Sequence, residues 1–99
     1  LTDEGVVIHE GVPHGRKVLY GNLLWDGALS LATLLARDVS VGPSTRAIEL
    51  GAGTGVVGLT LGKLGAGEVW VTDFEPELVE LMDRNIEANA LRPRVVSRL

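Results

Sequence analysis

The sequence predicts an α/β fold, a parallel sheet of about three strands with flanking helices, and three observations carry the prediction. First, Ala47, Ile48 and Leu50 read as the end of a buried strand. That strand breaks into the glycines of Glu49-Leu50-Gly51-Ala52-Gly53-Thr54-Gly55-Val56-Val57-Gly58, and the apolar run Val56 to Leu64 can then form a helix. Second, Glu68-Val69-Trp70-Val71-Thr72-Asp73 is rich in strand formers and follows the helix-ending glycines Gly65 and Gly67. Third, a helical period over residues 78–90 gives way to Arg94-Val95-Val96-Ser97-Arg98-Leu99, the start of another strand. Such an alternation winds through right-handed crossovers into a parallel sheet.

Taken in order, residues 1–19 are a lead-in of mixed character. Within it, Gly5-Val6-Val7-Ile8-His9 has the pattern of a short strand, and Gly11 to Gly15, with Pro13, reads as a turn. His9 and His14 lack a partner at metal-ligand spacing, so both are assigned to surface or turn positions and no metal site is expected. Leu24, Ala28, Leu31 and Leu35 follow helical spacing to about Arg37, with Asp26 placed to cap that helix. Residues 38–45, with Gly42, Pro43 and Ser44, are the loop feeding the strand before the glycines.

Gly58 and Gly62 lie four apart on one helix face. Glycine is a poor helix former, so its presence there points to close packing on the sheet or a neighbouring helix rather than to ligand contact. Glu75, Pro76 and Glu77 open the last helix, where proline suits the first turn and acids suit the positive end. Its apolar face is Leu78, Leu81, Met82, Ile86 and Ala90, with Met82 as core filler and Glu80 and Arg84 as a solvated pair. Arg92-Pro93 breaks it.

The crossovers put the strand before the glycines at one margin of the sheet, which conflicts with its composition. It is apolar on both faces, as strands in the middle of a parallel sheet are, and at a margin it would be a naked edge. The expectation is that further strands belong to the sheet and that the chain is a fragment. Leu1, in place of Met, points the same way.

With 45% hydrophobic and 22% charged residues, the 99-residue chain is globular in composition and sized for one small domain. A chain of this size buries only roughly 60–65% of its unfolded surface, so its stability is expected to be marginal. A net charge of −4 provides no basic footprint for nucleic acid. The absence of cysteine removes disulfides, thiolate metal sites and cysteine nucleophiles together. No apolar run approaches the ~20 residues of a membrane span and no signal-peptide pattern opens the chain, so a cytoplasmic protein with no membrane partner is expected.

A strand, a glycine loop and a helix N-terminus make a ligand site, because free N–H groups of the first turn face whatever lies against the loop. A mononucleotide P-loop would need Lys-Ser or Lys-Thr after the glycines, but Val56 and Val57 follow Gly55. A dinucleotide loop fits better: Gly53, Gly55 and Gly58 spell G-x-G-x-x-G, and Asp73 follows at about the ~20-residue spacing of a ribose-binding acid. Against it stands Glu49, whose charge would face a pyrophosphate. The same carboxylate suits a ligand with positive charge, such as S-adenosyl-L-methionine. That ligand has a sulfonium, an ammonium, a carboxylate for the helix end and a ribose diol for Asp73.

At this point the residues carry a resemblance. Glu49-Leu50-Gly51-Ala52-Gly53-Thr54-Gly55, with Val69-Trp70-Val71-Thr72-Asp73 and then Asn85-Ile86-Glu87-Ala88-Asn89, resembles the seven-stranded S-adenosylmethionine-dependent methyltransferases. Gly21-Asn22-Leu23-Leu24-Trp25-Asp26-Gly27-Ala28 is similar to the Trp-Pro/Asn-Gly/Ala segment of one subgroup, the lysine methyltransferase-like family. That family includes the fungal nicotinamide N-methyltransferase-like and elongation-factor methyltransferases. The resemblance runs from about Tyr20 to Leu99.

It implies the Rossmann-like sheet of the class I methyltransferases, with residues 1–99 as the N-terminal, cofactor-binding part of one incomplete domain. It further implies that Trp25, Gly51, Ala52, Gly53 and Asp73 contact S-adenosyl-L-methionine, Glu49 near its methionine end and Asp73 on its ribose hydroxyls. Without the family, Trp25 reads as a buried anchor. Two departures stand out: Asp26 replaces a small, neutral or proline residue, and Asp73-Phe74-Glu75-Pro76 is shorter than the Asp-Tyr-Pro-Asp-Pro run of the fungal subgroup.

The family's Asp/Asn-x-x-Tyr/Phe motif and adenine-contacting segments belong to later strands and are absent from this sequence. No catalytic residue is therefore named, and this half alone is not expected to turn over. The implied reaction aligns a neutral amine behind the methyl carbon of the sulfonium and excludes water. The expected acceptor is a protein lysine or N-terminal amine, a translation factor among the candidates, or a small-molecule amine. Two other classes stay open: a NAD-binding oxidoreductase fragment, and a non-catalytic truncated product.

Overall fold

The computed structural model describes residues 5–10 and 26–99. Its elements are α1 (Asp26–Asp38), β1 (Arg46–Glu49), α2 (Val56–Lys63), β2 (Glu68–Thr72), α3 (Pro76–Ala88) and β3 (Val95–Arg98). The strands pair in the order β1-β2-β3, all parallel, and β1 lies at a margin as the crossover rule predicts. The expected α/β class is thus observed.

Register decides what each face carries. Ala47, Val69 and Val95 stand in one row across the sheet, and Glu49, Val71 and Ser97 in another. Side chains alternate along a strand, so these six share a face. Helices α2 and α3 cover it, and Leu59, Met82, Ile86 and Leu91 join Val69, Val71 and Val95 in the core. The opposite face carries Arg46, Ile48, Glu68, Trp70, Val96 and Arg98 and is open, with Ile48 62% and Trp70 39% exposed. Glu68 organises it: Arg46 pairs with its carboxylate at 3.0 Å, and Trp70 Nε1 donates to it at 3.1 Å. The Arg98 guanidinium lies 5.3 Å from the Trp70 ring centroid.

The helices follow their sequence patterns with two corrections. α2 presses on the sheet through its glycines: a Cβ on Gly58 would fall 2.2 Å from Val71 Cγ1, and one on Gly62 2.6 Å from Val95 Cγ2. α1 packs against α2 with Ala32 buried and Ala28 and Leu35 half-buried, whereas the expected core residue Leu31 is exposed. In α3, Leu78, Leu81, Met82 and Ile86 are buried as their spacing requires, but Ala90 is exposed. The helix stops at its C-cap Asn89, Ala90 takes φ +53°, and Leu91 is buried in its place. Among the described residues, no helix is long and apolar enough to cross a membrane.

The segment 5–10 corrects a further expectation. It forms no strand, and the backbone groups of Val7 and His9 are bonded to side chains. Asn89 Oδ1 accepts the Val7 N–H and Asn89 Nδ2 donates to the Val7 carbonyl, both at 2.7 Å. Asn85 does the same for His9, at 2.7 and 3.2 Å. Between these rungs Ile8 packs against the core cluster, and Val6 is fully buried in it. His9 is exposed, as its surface assignment expects. The turn expected at Gly11–Gly15, with His14 inside it, and the segment from Tyr20 to Trp25 lie outside the described residues.

Candidate functional site

Between β1 and α2 the chain turns from strand to helix over residues 50–55. It does so on left-handed glycines, with φ of +62° at Gly51, +59° at Gly53 and +85° at Gly55, values that side-chain-bearing residues rarely adopt. Gly55 is also the N-cap of α2 and makes no side-chain cap of its own. The end of β2 holds the loop on two sides: the Ala52 N–H donates to the Thr72 carbonyl at 2.8 Å, and the Thr72 hydroxyl to the Glu49 carbonyl at 2.7 Å.

Asp73 follows β2 directly and is only 8% exposed. Its Oδ2 accepts the Gly53 N–H at 3.2 Å, while Oδ1 accepts those of Phe74 at 2.8 Å and Glu75 at 3.3 Å. One carboxylate thus fixes both the glycine loop and the entry to α3. A carboxylate offers about four acceptor sites, so capacity is left for a ligand hydroxyl. Beside it, the Phe74 ring is 81% exposed.

Glu49 lies on the helix side of the loop, where its Oε1 accepts the Gly58 N–H at 3.1 Å. Burial pushes its carboxyl up from 4.5 to about 7, and the Gly58 hydrogen bond opposes only part of that shift. Near neutral pH this group therefore shares a proton, in contrast to the permanent charge that the sequence suggests at the loop mouth.

The sign of the resulting pH dependence is fixed. Below pH 4.5 both native and unfolded chains hold the proton; between 4.5 and about 7 only the native state does. Stability is accordingly full below 4.5 and falls as pH rises toward 7. At about 1.4 kcal/mol per pKa unit, the loss is on the order of 3 kcal/mol. Denaturant unfolding at pH 5 and pH 8 should show this slope in the wild type and not in Glu49→Gln; parallel profiles would refute it.

Glu49, Gly51, Ala52, Gly53 and Asp73 therefore come together around one loop, while Trp25 lies outside the described residues. Among the described residues, no group of three or more His, Asp or Glu could hold a metal ion. Sequence reasoning quoted Asn85 within the resemblance but gave it no role; it is fully buried and donates from Nδ2 to the Thr54 carbonyl of the loop at 2.8 Å. The available sign was an asparagine pair, Asn85 and Asn89, four apart beside the apolar positions of α3.

Comparison with known proteins places this geometry. A family model described as lysine methyltransferase matches residues 11–99. A protein N-terminal and lysine N-methyltransferase of Cryptococcus neoformans is 33% identical over 76 residues, 76% of this chain and 25% of its own length. Protein N-lysine methyltransferase METTL21A of Mus musculus is 38% identical over 84 residues, 82% of this chain and 38% of its own. EEF1A lysine methyltransferase 3 of Mus musculus is 41% identical over 66 residues, 67% and 28% of the two chains. The chain thus spans between a quarter and two-fifths of the length of these relatives. Among solved structures, P. horikoshii TYW2 in complex with MeSAdo superposes with a TM-score of 0.66 over 83% of this chain and 31% of that one. At 18% identity, that likeness is one of fold.

Proposed function

Because the chain belongs to the lysine methyltransferase family, we propose that residues 1–99 are the N-terminal, cofactor-binding part of an S-adenosylmethionine-dependent protein methyltransferase. The observation that carries the reading is the single carboxylate of Asp73, bonded to the Gly53 amide at the C-terminal end of β2. In open α/β sheets, ligands lie outside those strand ends. Asp73 accepts from a ribose hydroxyl at the acceptor site that its three backbone bonds leave, and the N–H groups of Val56 and Val57, ahead of the Gly58 N–H that Glu49 holds, face the methionine carboxylate. Glu49 answers the positive charges of the ligand, and the exposed Phe74 ring offers a flat apolar surface beside the ribose.

Glu49 also argues against a dinucleotide. Its carboxyl already occupies the Gly58 N–H, in the turn where a pyrophosphate would bind, and Gly58 itself is pressed against Val71. When bound, S-adenosylmethionine supplies an activated methyl group on its sulfonium. This part of the protein holds that donor and shields it from water. The acceptor is a protein amine, a lysine side chain or an N-terminus, and the names of the relatives make a translation elongation factor the first candidate.

Calorimetric titration of the protein with S-adenosylhomocysteine and, separately, with NAD tests the reading. S-adenosylhomocysteine is expected to bind and NAD not; preferential NAD binding would overturn it. A cationic ligand also favours ionised Glu49, so S-adenosylmethionine affinity should rise with pH below about 7, by at most about tenfold per unit. Uptake of protons on binding, measured in buffers of different ionisation enthalpy, would contradict that role for Glu49.

A further inference from the structure

We propose that Asn85 is a positioning residue that couples the docking of residues 5–10 to the geometry of the cofactor loop, so that this segment is a strap which the bound cofactor tightens. The inference rests on the cofactor reading given above. The Asn85 side chain has no exposed surface, and its one planar carboxamide serves two distant parts of the chain. Oδ1 accepts the His9 N–H at 2.7 Å, and Nδ2 donates to the His9 carbonyl at 3.2 Å and to the Thr54 carbonyl at 2.8 Å. An amide nitrogen has two hydrogens, so both are spent.

Thr54 is itself buried and precedes Gly55, the left-handed N-cap of α2. A shift of the loop therefore stretches the bond to Thr54 or carries the carboxamide with it, which disturbs the bonds to His9. An unpaired buried amide is costly, so the two arrangements are favoured together. Whatever fixes the loop then fixes the strap, and by linkage a docked strap strengthens binding at the loop to the same degree.

Asn89 supplies a control that spares the loop. It holds Val7 by two bonds, and its remaining bond, from Nδ2 to the Asn85 carbonyl, stays within the helix end. Removing its side chain loosens the strap and leaves the Asn85–Thr54 bond in place. A purely structural asparagine at this position would not alter affinity at the loop.

The test is amide hydrogen exchange of the wild-type protein with and without saturating S-adenosylhomocysteine. It is run where low denaturant leaves the Val7 and His9 rates unchanged, which marks local opening rather than global unfolding. The expected result is that the ligand slows exchange at Val7 and His9 by at least about fivefold, and that Asn89→Ala weakens S-adenosylhomocysteine affinity by a similar factor. Binding to the wild type with no change at Val7 and His9 would overturn the strap and leave the cofactor site standing. No binding to the wild type would overturn both.

Discussion

Asp73→Ala is expected to weaken S-adenosylhomocysteine binding about 5- to 150-fold. The figure follows from a loss of about 1–3 kcal/mol when a buried hydrogen-bonding group is left without its partner, converted at about 1.4 kcal/mol per decade. Two losses combine: the acceptor for the ribose diol, and the brace that holds the loop, since Oδ2 accepts the Gly53 N–H and Oδ1 those of Phe74 and Glu75. Asp73→Asn separates them in part. Its amide oxygen still accepts from Phe74 and Glu75, but its nitrogen then meets the Gly53 N–H, donor against donor. Calorimetric affinities should fall in the order wild type, Asn, Ala. An unchanged affinity for Asp73→Ala would put the ribose elsewhere.

Gly58→Ala should cost about 2 kcal/mol of folding stability. The added Cβ falls 2.2 Å from Val71 Cγ1 and 3.3 Å from Val69 Cγ1, and both valines are fully buried. Overpacking of that kind costs typically 1–3 kcal/mol, and so close an approach to stiff, β-branched side chains belongs at the upper end. The better helix propensity of alanine returns up to about 1 kcal/mol. At about 4–8 °C per kcal/mol for a domain of this size, Tm should drop by about 8–16 °C. A Tm equal to that of the wild type would mean that α2 does not lie this close to β2.

Much of this was legible in the sequence because it concerns what single residues permit. Gly51, Gly53 and Gly55 allow a backbone that other residues resist, and Pro76 fits a first helical turn, so loop and helix start are written locally. Asp73 could be placed by counting, since a strand end has a known position relative to its neighbour's loop. What could not be read is what depends on distant partners. Asn85 and Asn89 serve backbone groups 76 and 82 residues away, and a two-residue spacing at Val7 and His9 looks like strand whether its partner is a strand or a row of carboxamides. Ala90 fits the helical period of α3, but periodicity is silent on where the hydrogen-bond ladder stops. Glu49 was visible as an acid, whereas its proton affinity depends on how deeply α2 covers it.

The two asparagine rungs also bring two lattices into step. Four residues of helix advance about 6.0 Å, and two residues of extended chain about 6.6 Å. Asn85 and Asn89 are one such helical step apart, and His9 and Val7, running the opposite way, one such extended step. The mismatch is only about 0.6 Å over one interval, within the tolerance of hydrogen-bond length. It accumulates with every further step, so a helix can stand in for a strand edge over a rung or two and no more. α3 ends at the second rung, near the limit of that commensurability.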